Sequence, residues 1–169
     1  METYKVTVDE STTCWYNAKN ELHRVCGPAK EISNKEKHWY LNGNRHRIDG
    51  PAIEYANGTK HWYKEDKLHR EDGPAIECAN GTKMWYVEGY SHRSDGPSIE
   101  YANGEKLWYK EGKPHREDGP AREYHDGSKS WYLEGVFYTE AEYLKKVNMF
   151  TCEGKLVEID GKKYKLTGV

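Results

Sequence analysis

The stretch Pro74-Ala75-Ile76-Glu77-Cys78-Ala79-Asn80-Gly81-Thr82-Lys83-Met84-Trp85-Tyr86-Val87-Glu88-Gly89-Tyr90-Ser91-His92-Arg93-Ser94-Asp95-Gly96 holds two extended runs and two turn signals in 23 residues. Residues 74–79 form a short strand. Asn80-Gly81 reads as a two-residue hairpin turn, because both central positions of that turn need positive φ. Thr82 to Val87 then returns as a second strand. In this register Ile76 faces Trp85 and Ala75 faces Tyr86, and period-two alternation puts the two pairs on opposite faces. The Ile/Trp face is expected to be the core and the Tyr face the more exposed one. Glu88-Gly89 makes a second turn. The run to Gly96 is an irregular return, in which Asp95 closes an Asx turn, Gly96 takes positive φ and Pro97 sets the entry to the next strand.

The same unit recurs along the chain. Trp-Tyr stands at Trp15-Tyr16, Trp39-Tyr40, Trp62-Tyr63, Trp85-Tyr86, Trp108-Tyr109 and Trp131-Tyr132; the first step is 24 residues and the others 23. His-Arg recurs at 23–24, 46–47, 69–70, 92–93 and 115–116, with Gly-Pro following each Arg by three residues. Asp precedes that Gly at Asp49, Asp72, Asp95 and Asp118, and Cys26 takes its place in the first repeat. A lone hairpin is marginal, so successive hairpins are expected to stack edge to edge into an elongated, twisted antiparallel sheet. Composition suits this, since Leu, Ile, Val and Phe are scarce beside 14 Tyr and 6 Trp. A thin aromatic core fits an elongated repeat fold better than a sphere.

Three regions follow: an N-terminal capping strand within residues 1–14, five repeats over 15–138, and a C-terminal cap over 139–169. Residues 3–8 read as the starting strand. Thr139-Glu140-Ala141-Glu142 is a capping box, with a short helix expected through Val147. Two runs flanking Asp160-Gly161 read as a final hairpin that, with the helix, covers the last edge of the sheet. The fold class is mainly β with a short C-terminal helix and hairpin cap.

The unit resembles MORN repeats. It is still more similar to the Trp-Tyr-x-x-Gly-x-x-His-Arg-x-Asp-Gly-Pro-Ala repeat proteins often encoded by bacteriophages, over roughly residues 15–138, and the Thr-Glu-x-Glu helix start after the last repeat adds to the likeness. The resemblance implies a hairpin sheet used for protein contacts, not catalysis. Phage origin would imply a protein acting on a host target, such as a defence component, in the host cytoplasm. The His-Arg-x-Asp-Gly-Pro segment replaces the Gly-x-Gly of MORN repeats, and no basic patch favours lipid binding.

Acids and bases are interleaved at a net charge of −2, with no basic block for nucleic acid. No run has the length and apolarity of a signal peptide or membrane span. Cys14, Cys26, Cys78 and Cys152 form no C-x-x-C pair. They read as free, partly buried thiols of a protein kept in a reducing cytoplasm.

Five His-Arg pairs invite a metal or anion site. Equivalent side chains two strands apart stand about 9.5–10 Å from each other, too far to share a metal. No metal and no cofactor are therefore expected. Ser91, His92 and Asp95 share only a chance likeness to a catalytic triad, because His and Asp recur in every repeat while Ser91 does not. In a repeat protein, function lies where the pattern breaks. The residues before each Trp vary, as do Arg122 in the Ile column and His125-Asp126. The candidate binding face therefore comprises Tyr40, Tyr63, Tyr86 and Tyr109 with His38, His61, Met84 and Leu107. The alternative is a small-ligand or nucleotide-sequestering protein using His46, Arg47, His69, Arg70, His92, Arg93, His115 and Arg116. The partner expected first is a host protein; exposed sheet edges leave a homo-oligomer open.

Overall fold

A computed structural model describes residues 4–152, 156–159 and 162–165, with side chains described through residue 147. Thirteen short antiparallel strands form one open sheet. It starts with Lys5–Val8 and Thr12–Tyr16 and ends with Lys129–Leu133 and Val136–Tyr138. Between them each repeat adds two strands, as Ile76–Glu77 and Lys83–Met84 do in the central unit. The tandem hairpin sheet foreseen from the sequence is the fold. A helix over Glu140–Cys152 follows and packs on the last two strands of the sheet. Leu156–Ile159 and Lys162–Lys165 pair as the terminal hairpin; its Asp160-Gly161 turn lies outside the described residues.

Within each repeat the register differs by one residue from the sequence reading. Ile76 pairs with Met84 and Glu77 with Lys83, not Ile76 with Trp85. The Asn-Gly segment is a three-residue loop. The amide of Gly81 donates to the Cys78 carbonyl, and Gly81 alone takes positive φ, at 91°. Asn80 instead accepts the Thr82 amide on its side-chain oxygen. A type I turn followed by a left-handed glycine accounts for this geometry. The two-residue turn with both central φ positive falls at Glu88-Gly89, at 51° and 85°, between the paired Val87 and Tyr90.

A one-residue slip exchanges the faces of a strand. On one face stand, strand after strand, Lys30, His38, Ile53, His61, Ile76, Met84, Ile99, Leu107, Arg122 and Ser130. The adjacent row, on the opposite face, alternates in sign: Glu31, Lys37, Glu54, Lys60, Glu77, Lys83, Glu100, Lys106, Glu123, Lys129. Opposite charges directly across strands stabilise the ladder.

The tryptophans share the Glu/Lys face. The first five each donate their amide to the carbonyl of a small residue of the next hairpin, as Trp62 does to Ala75 and Trp85 to Ser98. One step along the Ile76–Met84 register, Ala75 also stands beside Trp85. Ala29, Ala52, Ala75, Ser98 and Ala121 are wholly buried. They are small because an indole flanks them from the neighbouring strand. Ile and Trp are therefore on opposite faces, which corrects the single Ile/Trp core. At each inner Trp the chain leaves the sheet and forms a separate two-stranded ladder, such as Tyr86–Val87 with Tyr90–Ser91.

The return loops are held by their arginines. The guanidinium of Arg70 lies 4.1 Å from the Trp62 ring centroid. Its Nε donates to Asp72 at 2.9 Å, and its Nη1 to the Pro74 carbonyl and to Glu77. A Cβ on Gly73 would meet that guanidinium at 3.0 Å. The glycine before each Pro does not have positive φ; it is glycine because the Arg plate occupies the space.

The capping box at the helix start forms, with Thr139 and Glu142 bonded reciprocally. Tyr143 is buried, and its hydroxyl accepts the Gly119 amide and donates to the Arg116 carbonyl. That anchors the helix to the last return loop. Cys26 is exposed, not partly buried, while Cys14 and Cys78 are half-buried.

Candidate functional site

The eight side chains of the candidate binding face do share one face, though not the open one expected. His38, His61, Met84, Tyr40, Tyr63, Tyr86 and Tyr109 are half-buried, and Leu107 is buried. His38, His61, Met84 and Leu107 each stand opposite Ile53, Ile76 or Ile99, so they pack against isoleucines. The tyrosines follow two residues later along the same face, as the stacked rings of His38 and Tyr40 show. Burial pushes the phenol pKa of Tyr40, Tyr55 and Tyr86 up.

The N-terminal half of this face is an aromatic cluster. The Tyr55 ring meets His61 edge-on at 5.0 Å and His38 at 6.3 Å. Arg45 stacks on Tyr63 at 4.1 Å, while its Nε donates to Asp66 at 2.6 Å. His38 Nε2 lies 2.6 Å from Glu36. The Nδ1 atoms of His38 and His61 are enclosed and without a hydrogen-bond partner among the described residues. Burial first, and Arg45 second, hold the His61 pKa below its ordinary value.

The C-terminal half has a different character. Met84, Ile99 and Leu107 form an apolar stretch, closed by Arg122, whose Nη2 donates to the Tyr109 hydroxyl and whose guanidinium lies 5.0 Å from the Tyr132 ring. His125 bonds Glu105 at 3.0 Å, which raises its pKa. Sequence reasoning missed Tyr55 and Arg45. The signal available for Tyr55 was its position two residues after Ile53, which alternation puts on the same face.

The alternative His-Arg set has structural partners throughout. Arg47, Arg70, Arg93 and Arg116 each stack on a Trp ring and bond an Asp, a Pro carbonyl and a Glu. The Glu partners, Glu54, Glu77, Glu100 and Glu123, recur right after the Ile column, a signal the sequence reading left unused. His46, His69, His92 and His115 accept on Nδ1 the amide of the turn glutamate one repeat on. That bond satisfies an amide whose residue is held at φ near 50°. These pairs therefore tie repeat to repeat.

Ser91 donates its hydroxyl to Ser98, and Asp95 accepts from Arg93. With His92 bonded to Glu111, the three do not converge. Among the described residues no group of three or more His, Cys, Asp or Glu could hold a metal ion. Among the same residues no helix is long and apolar enough to cross a membrane.

No protein-family model and no curated protein matches the chain.

Proposed function

We propose that the chain is a non-enzymatic repeat scaffold for protein–protein interaction, a phage protein that binds a host protein such as a defence component. The observation that carries this reading is the division of labour between the two faces. The invariant polar groups of the repeats are engaged within the molecule, with Arg on Trp and Glu and His on the next turn. The Tyr face is a surface on which the repeats differ, from His38 and His61 to Met84, Leu107 and Ser130. Half-buried aromatic side chains of this kind supply contact area at low entropic cost. The phage and host parts rest on the resemblance of the repeat alone.

The test is affinity capture from a bacterial host lysate, with mass spectrometry of bound proteins and of released small molecules. A Tyr63→Ala/Tyr86→Ala variant with an unchanged circular dichroism spectrum should lose a stoichiometric partner. Retention of that partner by the folded variant would refute this face. A bound nucleotide without any protein would favour the small-ligand reading.

A further inference from the structure

The five return loops share one arginine plate and differ in what meets its Nε. In four of them the arginine Nε donates to the Asp two residues on, at 2.7–3.0 Å. The Asp carboxylate is also held by its own backbone amide, and both contacts keep its pKa low. In the first loop Cys26 stands where the Asp would be. Arg24 is otherwise placed as its sisters are, 4.0 Å from the Trp15 ring, with Nη1 bonded to the Pro28 carbonyl and, at 3.4 Å, to Glu31. Its Nε has no acceptor among the described residues. The side chain is correspondingly more open, 28% exposed against 20–22% for the other four.

The surroundings of this seat are also particular to it. It opens into the cleft between the first and second return loops, lined by Val25, Cys26, Trp39, Leu41, Ile48 and Asp49. Val25 is 58% exposed and Ile48 94%. The equivalent positions further along are Glu71, Ser94 and Glu117, so this cleft has an apolar residue from each of its two return loops, while the next one has Ile48 opposite Glu71. Asp49 sits across it with its charge compensated by Arg47.

We propose that this cleft binds an acidic side chain of a partner protein, Asp or Glu beside an apolar residue, with the carboxylate on Arg24 Nε, in the place that Asp holds in the other four loops. A guanidinium edge fixed by stacking is a preorganised carboxylate donor, so little side-chain entropy is lost on binding. The exposed Val25, Leu41 and Ile48 gain by covering an apolar neighbour of that acid. This deepens the partner-binding reading by naming the chemistry of one contact, at a place away from the Tyr face.

The experiment is a titration of the full chain, thiols kept reduced, followed through the ¹⁵N–¹H signal of Arg24 Nε, assigned by its loss in Arg24→Lys. The probes are acetyl-Leu-Asp-Leu-amide, its Asn counterpart, and acetate. The Asp peptide should shift the signal saturably in the millimolar range and the Asn peptide should not. Cys26→Asp rebuilds the repeat pattern and should abolish the response while raising the melting temperature; Cys26→Ser should keep the response. No shift with the Asp peptide, or an undiminished shift in Cys26→Asp, overturns the site. Acetate binding as tightly as the peptide overturns the part given to the apolar rim. None of these outcomes bears on capture through Tyr63 and Tyr86, so the two readings fail separately.

Discussion

Removing one arginine plate should cost more than removing the acid that it contacts. In the third return loop Arg70 stacks on Trp62 at 4.1 Å, and its Nη1 reaches the Pro74 carbonyl at 3.2 Å and Glu77 at 2.9 Å. The stack contributes about 1 kcal/mol for a cation that is mostly but not wholly desolvated. The two Nη1 bonds add about 1 kcal/mol each once solvent screening at Glu77 is allowed for. Arg70→Ala should therefore cost about 3 kcal/mol, a fall of about 6–12 °C in Tm for a chain of this size. Asp72 is 84% exposed, so Asp72→Ala should lower Tm much less. Arg70→Lys keeps the charge but loses the flat plate and the fork, and should resemble Arg70→Ala more than the parent. The assay is thermal and urea unfolding followed by tryptophan fluorescence. A near-parental Arg70→Lys, or an Asp72→Ala as damaged as Arg70→Ala, would show that surface charge pairing holds the loop instead of the stack and the Nη1 bonds.

Three further outcomes follow from local geometry. Lys35 takes φ of 76° at the position where the other repeats have Gly58, Gly81, Gly104 and Gly127, so Lys35→Gly should raise stability in urea unfolding by about 0.5–1 kcal/mol. The folded pKa of His61 lies below its ordinary value of 6.5, so the unfolded chain takes up the proton first. Stability is full above pH 6.5 and is lost as pH falls from there through the folded pKa; His61→Phe should flatten this part of the urea-midpoint profile. Tyr143→Phe removes both bonds to the last return loop and should cost about 1–2 kcal/mol, seen as faster amide exchange in the Glu140–Cys152 helix.

The period, the two-strand unit and the helix cap were legible in the residues, because so many positions repeat in phase and because turn and capping signals act over a few residues. The register was not. Asn80-Gly81 suits a two-residue turn with both φ positive and equally a three-residue loop in which only the glycine is left-handed. The two differ by one residue, and that residue decides whether Ile76 stands beside Trp85 or beside Met84. Local preference cannot choose between them. The choice is made by neighbouring strands, where a wholly buried Ala75 leaves room for the indoles beside it and Glu77 meets both Lys60 and Lys83. The roles of His69, Arg70 and Gly73 were hidden for the same reason. Their partners lie on Trp62, on Glu77 and on the turn of the next repeat, and are brought together only when the repeats stack.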